Sequence, residues 1–269
     1  MLNKIRSIYI IQKIFKNVEP TLFLKLIKCN KNLQKKLEIT KGNYLYYNLV
    51  IEIELIPTKK NNKAENVFVN INEKEKNFYQ FYINKKRVKR NYFSNKEKIS
   101  KIKIRINNEI KSLRGLFADC RCIQEIKFIK FNIKDITDMS LMFYNCTNLA
   151  KITFKNFDTS KVKNMSNMFE QCISLKRIDL SKFDTSSLIY MSNMFYNCES
   201  LTQIDLSNFN TSKIYNIDRL CFGCNSLRYL DLSSFRYGKL NGSEKYLPDN
   251  EHLRVIYMDK HEYFKFLEH

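Results

Sequence analysis

Apolar positions recur every 26 residues through the second half of the chain. The most regular is a cysteine that returns without an insertion, at Cys120, Cys146, Cys172, Cys198 and Cys224. A leucine or isoleucine follows each of these cysteines by three residues and again by six. A fixed period of this length is the signature of a repeat array in which each unit stacks on the next.

One unit predicts three local elements. Leu175, Ile178 and Leu180 fit a short strand. The segment 184–186 predicts a corner, because short oxygen side chains accept hydrogen bonds from free backbone N–H groups. The apolar residues that follow are spaced three and four apart, which predicts a short helix; they are Leu188, Met191, Met194, Phe195 and Cys198. The predicted fold class is therefore an α/β solenoid.

The solenoid is expected to span residues 108–258 in about six turns. Leu253, Ile256 and Met258 keep the register of Leu227, Leu230 and Leu232, which predicts a last strand before a C-terminal cap at 259–269. Residues 42–107 combine clusters of β-forming residues with turn signals, which predicts a small β-rich region. Residues 1–41 predict a helical hairpin with one apolar stripe at Ile8, Ile11, Ile14 and Phe15.

The repeat sequence also carries a family resemblance. The repeats resemble the BspA-like leucine-rich repeats, and the resemblance is carried by the string NFDTSKVKNMSNMFEQCISLKRIDLSKFDTSSLIYMSNMFYNCESLTQIDLSNFNTS. That family occurs in bacterial surface proteins, mycoplasma lipoproteins and many protists. The resemblance is strong over about 115–235 and weaker over 236–258. It implies a leucine-rich-repeat-like coil with roles in protein interaction and without catalysis.

A second resemblance concerns the N-terminal hairpin. The predicted order of helices resembles that of an F-box over the string IRSIYIIQKIFKNVEPTLFLKLIKCNKNLQKKL. The Leu-Pro opening usual in that family is absent. The resemblance implies a surface that recruits a ubiquitin-ligase adaptor, with Ile8, Ile11, Ile14 and Phe15 facing that partner. The alternative is a structural cap that buries the same stripe.

Positive charge is concentrated in the N-terminal part of the chain. Residues 1–114 hold 27 Lys and Arg against 9 Asp and Glu, which accounts for +18 of the formal net charge of +20. The densest basic run is Lys85, Lys86, Arg87, Lys89 and Arg90. This run predicts a nuclear-import signal or a phosphate-binding patch, or else a solvated hairpin face. Nucleic acid or an anionic surface is therefore an alternative partner, against the simpler explanation of compositional bias.

The regular cysteines predict reduced, buried thiols. A small weak donor at an inward corner packs well and reaches backbone carbonyl groups. Strand-like stacking separates successive Cβ atoms by roughly 4.8 Å, whereas a disulfide requires about 3.8 Å. We expect no metal, no cofactor and no catalytic site, since the three histidines, at 252, 261 and 269, lie near the C-terminus, apart from the regular cysteines.

Some strand positions recur between units and others vary. Asp179, Asp205 and Asp231 recur together with a serine two residues later, which suggests that they satisfy backbone groups of the unit itself. Side chains beside them vary, and such positions can encode recognition without harming the array. The predicted partner-binding residues, which we call the variable strip, are Lys151, Thr153, Lys176, Arg177, Thr202, Gln203, Arg228 and Tyr229.

These features together predict a non-enzymatic scaffold for protein–protein interaction, with a ubiquitin-ligase adaptor as its more specific form. The alternatives are binding of nucleic acid or an anionic surface, and a surface or adhesion protein like the bacterial relatives. Lys13 and Lys16 interrupt the apolar start, so we expect no signal peptide and a cytoplasmic or nuclear location, with the cell surface as the alternative.

Overall fold

The structure is a computed structural model that describes residues 50–59, 64–107, 110–235 and 255–257. The chain divides into two compact units, Met1–Val50 and Ile51–His269, and all of the described residues except Val50 belong to the second. The predicted helical hairpin at 1–41 and the predicted cap at 259–269 lie outside the described residues. The predicted domain boundaries stay a prediction.

A mixed six-stranded sheet begins the described chain. Its strands are β1 (Val50–Pro57), β3 (Tyr79–Ile83), β4 (Lys86–Val88), β6 (Ile102–Asn107), β7 (Ile123–Phe131) and β8 (Lys151–Phe154), and their order in space is β4-β3-β6-β1-β7-β8. Between them, β2 (Glu65–Val67) and β5 (Tyr92–Ser94) form a separate antiparallel pair, and Glu73–Phe78 is a 3₁₀-helix.

Strand β1 joins the N-terminal strands to the first repeat. It pairs antiparallel with β7, where Ile51 lies opposite Phe131 and Leu55 lies opposite Ile126. The alternation of β1 places isoleucine and leucine on the core side and Glu52 and Glu54 on the outer side. The predicted β-rich region and the repeats therefore share one sheet and one hydrophobic core.

The repeat segments that were predicted as helices are successions of tight turns. In each unit two residues have a positive φ, four positions apart; they are Gly115 and Asp119, Leu141 and Asn145, Asn167 and Gln171, Asn193 and Asn197, and Arg219 and Gly223. A left-handed residue cannot continue a right-handed α-helix. In the first unit, the N–H of Leu116 donates a hydrogen bond to the carbonyl oxygen of Leu113, and the N–H of Cys120 donates to that of Phe117. Each hydrogen bond closes a turn whose third residue is left-handed, as in a type II turn.

These turns direct backbone groups toward the next unit. The N–H groups of Phe117, Phe143 and Phe169 donate to the carbonyl oxygens of Met142, Met168 and Met194, each at 2.9 Å. In an α-helix each of these N–H groups would instead donate to the carbonyl oxygen four residues earlier in the same unit. The turns therefore hold successive units together through their backbones.

The prediction of an α/β solenoid of the leucine-rich-repeat type is wrong. The described residues contain strands, turns and one 3₁₀-helix, and no α-helix. The apolar spacing of three and four residues, read as helical, is produced by consecutive turns that return every third or fourth side chain to the core. The strands do not form one continuous coil either, because residues 175–180, predicted as a strand, have no strand structure.

The later strands form a sheet of their own. Strands β9 (Gln203–Asp205), β10 (Tyr229–Asp231) and β11 (Val255–Tyr257) are parallel and in register, with Ile204, Leu230 and Ile256 aligned. The predicted last strand around residue 256, in register with Leu230, is therefore confirmed.

Two ladders of side chains fill the core of the repeats. Phe117, Phe143, Phe169 and Phe195 stack with ring planes within 7° and centroids 5.3–5.7 Å apart. The cysteine ladder runs beside them, and the Sγ atoms of Cys146, Cys172, Cys198 and Cys224 donate to the carbonyl oxygens of Phe117, Phe143, Phe169 and Phe195 at 3.0–3.2 Å. The predicted buried thiols that bond to backbone carbonyls are confirmed.

A pair of glycine substitutions tests the role of the left-handed turns. Gly115→Ala should cost about 1–2 kcal/mol of unfolding free energy, because a left-handed residue gains a Cβ that meets only Ala118 at 3.9 Å. Gly223→Ala should cost roughly 1–3 kcal/mol more, since its Cβ would lie 2.0 Å from Oδ1 of Asn197. Denaturant unfolding of both variants measures the difference. Equal destabilisation would contradict the described packing of Gly223 against Asn197.

The cysteine ladder should make stability fall at alkaline pH. Burial raises the pKa of Cys224 to about 12 and the pKa values of Cys172 and Cys198 well above the usual value. An unfolded thiol ionises near pH 8.5, so the unfolded state loses protons first and the unfolding free energy should decrease as pH rises from about 9 to 12. Chemical denaturation across this range measures the slope, with Cys224→Ala as the control. Identical slopes for the two proteins would contradict burial of that thiol.

Candidate functional site

The variable strip lies on the surface of the repeat ladder. Lys151, Thr153, Lys176, Arg177, Gln203 and Arg228 are exposed, whereas Thr202 and Tyr229 are half-buried. Lys151 and Thr153 belong to β8 of the six-stranded sheet, and Gln203 and Tyr229 lie on neighbouring strands of the later sheet. Each predicted residue is therefore accessible from outside at least in part.

Backbone bonds order one column of the strip. The N–H of Arg228 donates to the carbonyl oxygen of Thr202 at 3.0 Å, and the N–H of Thr202 donates to that of Lys176 at 3.1 Å. The hydroxyl of Thr202 donates to the same Lys176 oxygen, also at 3.1 Å. The structure thus aligns Lys176, Thr202 and Arg228 in successive units, and Gln203 and Tyr229 are direct partners in the adjacent column.

The recurring aspartates beside the strip hold turns. Oδ1 of Asp179 accepts a hydrogen bond from the N–H of Ser181, and Asp205 and Asp231 make the same bond to the serine two residues later, all at 2.9–3.0 Å. Hydrogen bonds from Ser181 lower the pKa of Asp179. The prediction that these aspartates satisfy the unit's own backbone is confirmed.

The outer face of the six-stranded sheet carries a cluster of charges that was not predicted from the sequence. Glu52 of β1 accepts from Nζ of Lys103 at 3.0 Å and from Nε of Arg105 at 3.1 Å. Lys130 of β7 lies opposite Glu52 in the β1–β7 register. Burial lowers the pKa of Lys130, the charge of Arg105 lowers it further, and Glu52 opposes both effects. Three cations are thus gathered around one carboxylate.

The cluster continues along the same face toward the repeats. Lys101 binds Glu54 at 2.9 Å, and Lys127 lies opposite Glu54 in the register. Glu125 is within 3.4 Å of Lys127 and 3.5 Å of Lys151. We call this surface the charged sheet face; its residues are Glu52, Glu54, Lys101, Lys103, Arg105, Glu125, Lys127, Lys130 and Lys151.

One signal in the sequence could have indicated this face. Strand β1 reads Ile-Glu-Ile-Glu-Leu and strand β6 reads Ile-Lys-Ile-Arg-Ile, so each alternates an apolar residue with one sign of charge. Two such strands are complementary if they are neighbours in a sheet. Their adjacency depends on pairing between distant segments, which the local pattern does not specify.

The basic run lies on the hairpin of β3 and β4 and the residues that follow. Asn84 and Lys85 form the two-residue loop, both with a positive φ, as in a type I′ turn. Lys85, Lys86, Arg87 and Lys89 are exposed. Arg90 instead donates from Nη1 to Oε1 of Glu97 at 2.8 Å, and this bonding raises the pKa of Arg90 and lowers that of Glu97. The basic run therefore lies largely on an exposed hairpin. A role as a nuclear-import signal or a phosphate-binding patch stays a prediction.

The apolar stripe that was expected to face a ligase adaptor lies outside the described residues; it consists of Ile8, Ile11, Ile14 and Phe15. Within the described ranges, no group of three or more His, Cys, Asp or Glu residues is placed to hold a metal ion. Over those ranges there is also no helix with the length and apolar character needed to cross a bilayer.

Comparison with known proteins agrees with the repeat pattern. Residues 111–235 match the family described as "Mycoplasma protein of unknown function, DUF285". This match covers the units whose turns and cysteine ladder are described above. No curated protein and no solved structure gives a significant match to the chain. The comparisons therefore support a repeat family and leave the leucine-rich-repeat and F-box assignments without support.

The charged sheet face makes a testable contribution to stability. Glu52→Gln should cost on the order of 3 kcal/mol of unfolding free energy, because the side chains of Arg105 and Glu52 are only 6% and 14% exposed and the change leaves buried positive charge without its carboxylate. Glu54→Gln is the control and should cost less than about 1 kcal/mol, since its partner Lys101 is 51% exposed. Denaturant unfolding of both variants gives the two values. A cost for Glu52→Gln no larger than that for Glu54→Gln would rule out a buried charge cluster.

Proposed function

We propose that this protein is a non-enzymatic scaffold for protein–protein interaction and that the variable strip is where its partner binds. The observation that carries the proposal is the contrast between two sets of neighbouring positions. The aspartates that recur at residues 179, 205 and 231 are used by the turns, whereas the residues of the variable strip differ from unit to unit and are exposed or half-buried.

Buried and exposed positions of the repeat differ in how freely their residues can be exchanged. Exchange of a buried ladder residue such as Phe169 or Cys172 would leave a cavity or an unpaired carbonyl group in the core. Exchange of Arg177 or Gln203 changes only the outer surface. A repeated backbone with variable exposed side chains offers an extended surface of adjustable chemistry, which is how repeat arrays bind their partners.

The more specific form of the proposal adds recruitment of a ubiquitin ligase through Ile8, Ile11, Ile14 and Phe15. It rests on the sequence resemblance at 1–41 alone. Affinity capture with the full chain and with Ile11→Asp/Phe15→Asp tests it. Loss of ligase components, with other captured proteins retained, is the expected result; the absence of ligase components from both samples would remove this form.

The variable strip is tested by one triple variant. Arg177→Ala/Gln203→Ala/Tyr229→Ala should abolish capture of the partner from a host lysate. The thermal midpoint should change by less than about 2 °C, because none of the three side chains is buried. Quantitative mass spectrometry of the captured proteins and a thermal melt provide the two readouts.

A matched control separates the strip from general surface effects. Lys182, Lys213 and Glu199 are exposed residues outside the strip, and their joint exchange for alanine changes the net charge by the same amount as the strip variant. Capture should persist with this control. Equal capture by the strip variant and the native protein would show that the variable strip is not the binding surface.

A further inference from the structure

The charged sheet face carries more positive than negative charge. Its carboxylates come from β1 and β7, and its cations come from β6, β7, β8 and the residue before β6. Six cations, Lys101, Lys103, Arg105, Lys127, Lys130 and Lys151, stand against three carboxylates, Glu52, Glu54 and Glu125. The face therefore has three positive charges in excess within one sheet surface.

The positive charges are held in place as well as concentrated. Arg105 is buried, with only 5% of its surface exposed, and Lys103 and Lys130 are half-buried beside it. Ions that are partly withdrawn from water repel one another more strongly than ions in free solution. An anion that approaches this face would relieve that repulsion and would meet side chains that are already ordered by Glu52 and Glu54.

The charged sheet face is continuous with the variable strip. Lys151 and Thr153 of β8 belong to the strip, and they pair directly with Glu125 and Lys127 of the charged face. A partner that lies along the strip could therefore extend from β8 to the neighbouring strand β7 over one continuous surface.

We propose that the charged sheet face binds an acidic segment of the protein partner, whose carboxylates pair with the excess cations of β6, β7 and β8. This inference rests on the proposed function, since it assigns the chemistry of one part of the same partner. It gives the scaffold two contacts: a variable strip that selects the partner and a basic face that attracts its acidic segment.

The arrangement favours an acidic peptide over nucleic acid. The carboxylates Glu52, Glu54 and Glu125 lie among the cations, so a continuous chain of phosphates would meet negative charge on neighbouring strands about 4.8 Å apart. Single-stranded nucleic acid also stacks its bases on exposed aromatic rings. The aromatic residue on the outer side of β3, Tyr82, is half-buried, and its hydroxyl donates to Gln80 at 3.2 Å.

The test uses the full chain and a labelled oligoglutamate peptide as the probe. Fluorescence anisotropy measures its affinity at low and at physiological ionic strength. Lys101→Gln/Lys103→Gln/Lys127→Gln should weaken binding roughly tenfold, whereas Glu54→Gln should strengthen it roughly two- to fivefold by removing an anion. Since the two variants change affinity in opposite directions, a general loss of folding cannot produce the expected pair of results.

A matched control and a second probe complete the experiment. Lys163→Gln/Lys182→Gln/Lys213→Gln removes the same charge from exposed positions elsewhere in the repeats and should leave affinity within about twofold. Equal weakening by the two triple variants would overturn the proposal, as would no binding of oligoglutamate. Tighter binding of a labelled single-stranded oligouridylate than of oligoglutamate would overturn it in favour of nucleic acid.

The proposed function and this inference can fail separately. If the variable-strip variant loses the captured partner while the charged-face variant binds oligoglutamate like the native protein, the scaffold function stands and the acidic-segment proposal falls. If oligoglutamate binds as expected while the variable-strip variant still captures the same proteins, the basic face stands and the strip does not bind the partner.

Discussion

The backbone hydrogen bond between successive 26-residue units is the constraint on which the rest of the structure depends. Its geometry requires two left-handed residues in every unit, because only a chain of tight turns directs the N–H groups of Phe117, Phe143 and Phe169 outward to the next unit. Once this register is set, each side chain must face its counterpart in the neighbouring unit. Stacked phenylalanines and buried thiols fill the interior for that reason.

The same constraint explains why the surface can carry function. Each unit's backbone is satisfied by its neighbours and by short side chains such as Asp179 and Asp205. The adjoining outward positions are then free to differ, and the variable strip uses this freedom. On the six-stranded sheet, the position of β1 between β6 and β7 places its alternating carboxylates beside cations of both neighbouring strands and leaves positive charge in excess.

Much of the repeat core could be predicted from the sequence, whereas its local geometry could not. The period, the buried cysteines that donate to carbonyls and the aspartate turns follow from recurrence and simple hydrogen-bond chemistry. The predicted helices were wrong because side chains return to the core every three or four residues in consecutive turns as they do in a helix. Asn167, Asn193 and Gly223 carried the missing signal, since asparagine and glycine tolerate a positive φ. The charged sheet face depends on long-range strand pairing, which no local pattern specifies.

The most direct test is a measurement of which units the amide protons contact. Nuclear Overhauser spectroscopy on the protonated, isotope-labelled full chain should place the amide proton of Phe169 close to Met194 and Phe195 of the next unit, because its N–H donates to Met194 at 2.9 Å. It should also report a positive φ at Asn167 and Gln171. A continuous series of contacts between residues three and four apart, with right-handed φ throughout 165–172, would show a helix and contradict the turn-based stacking.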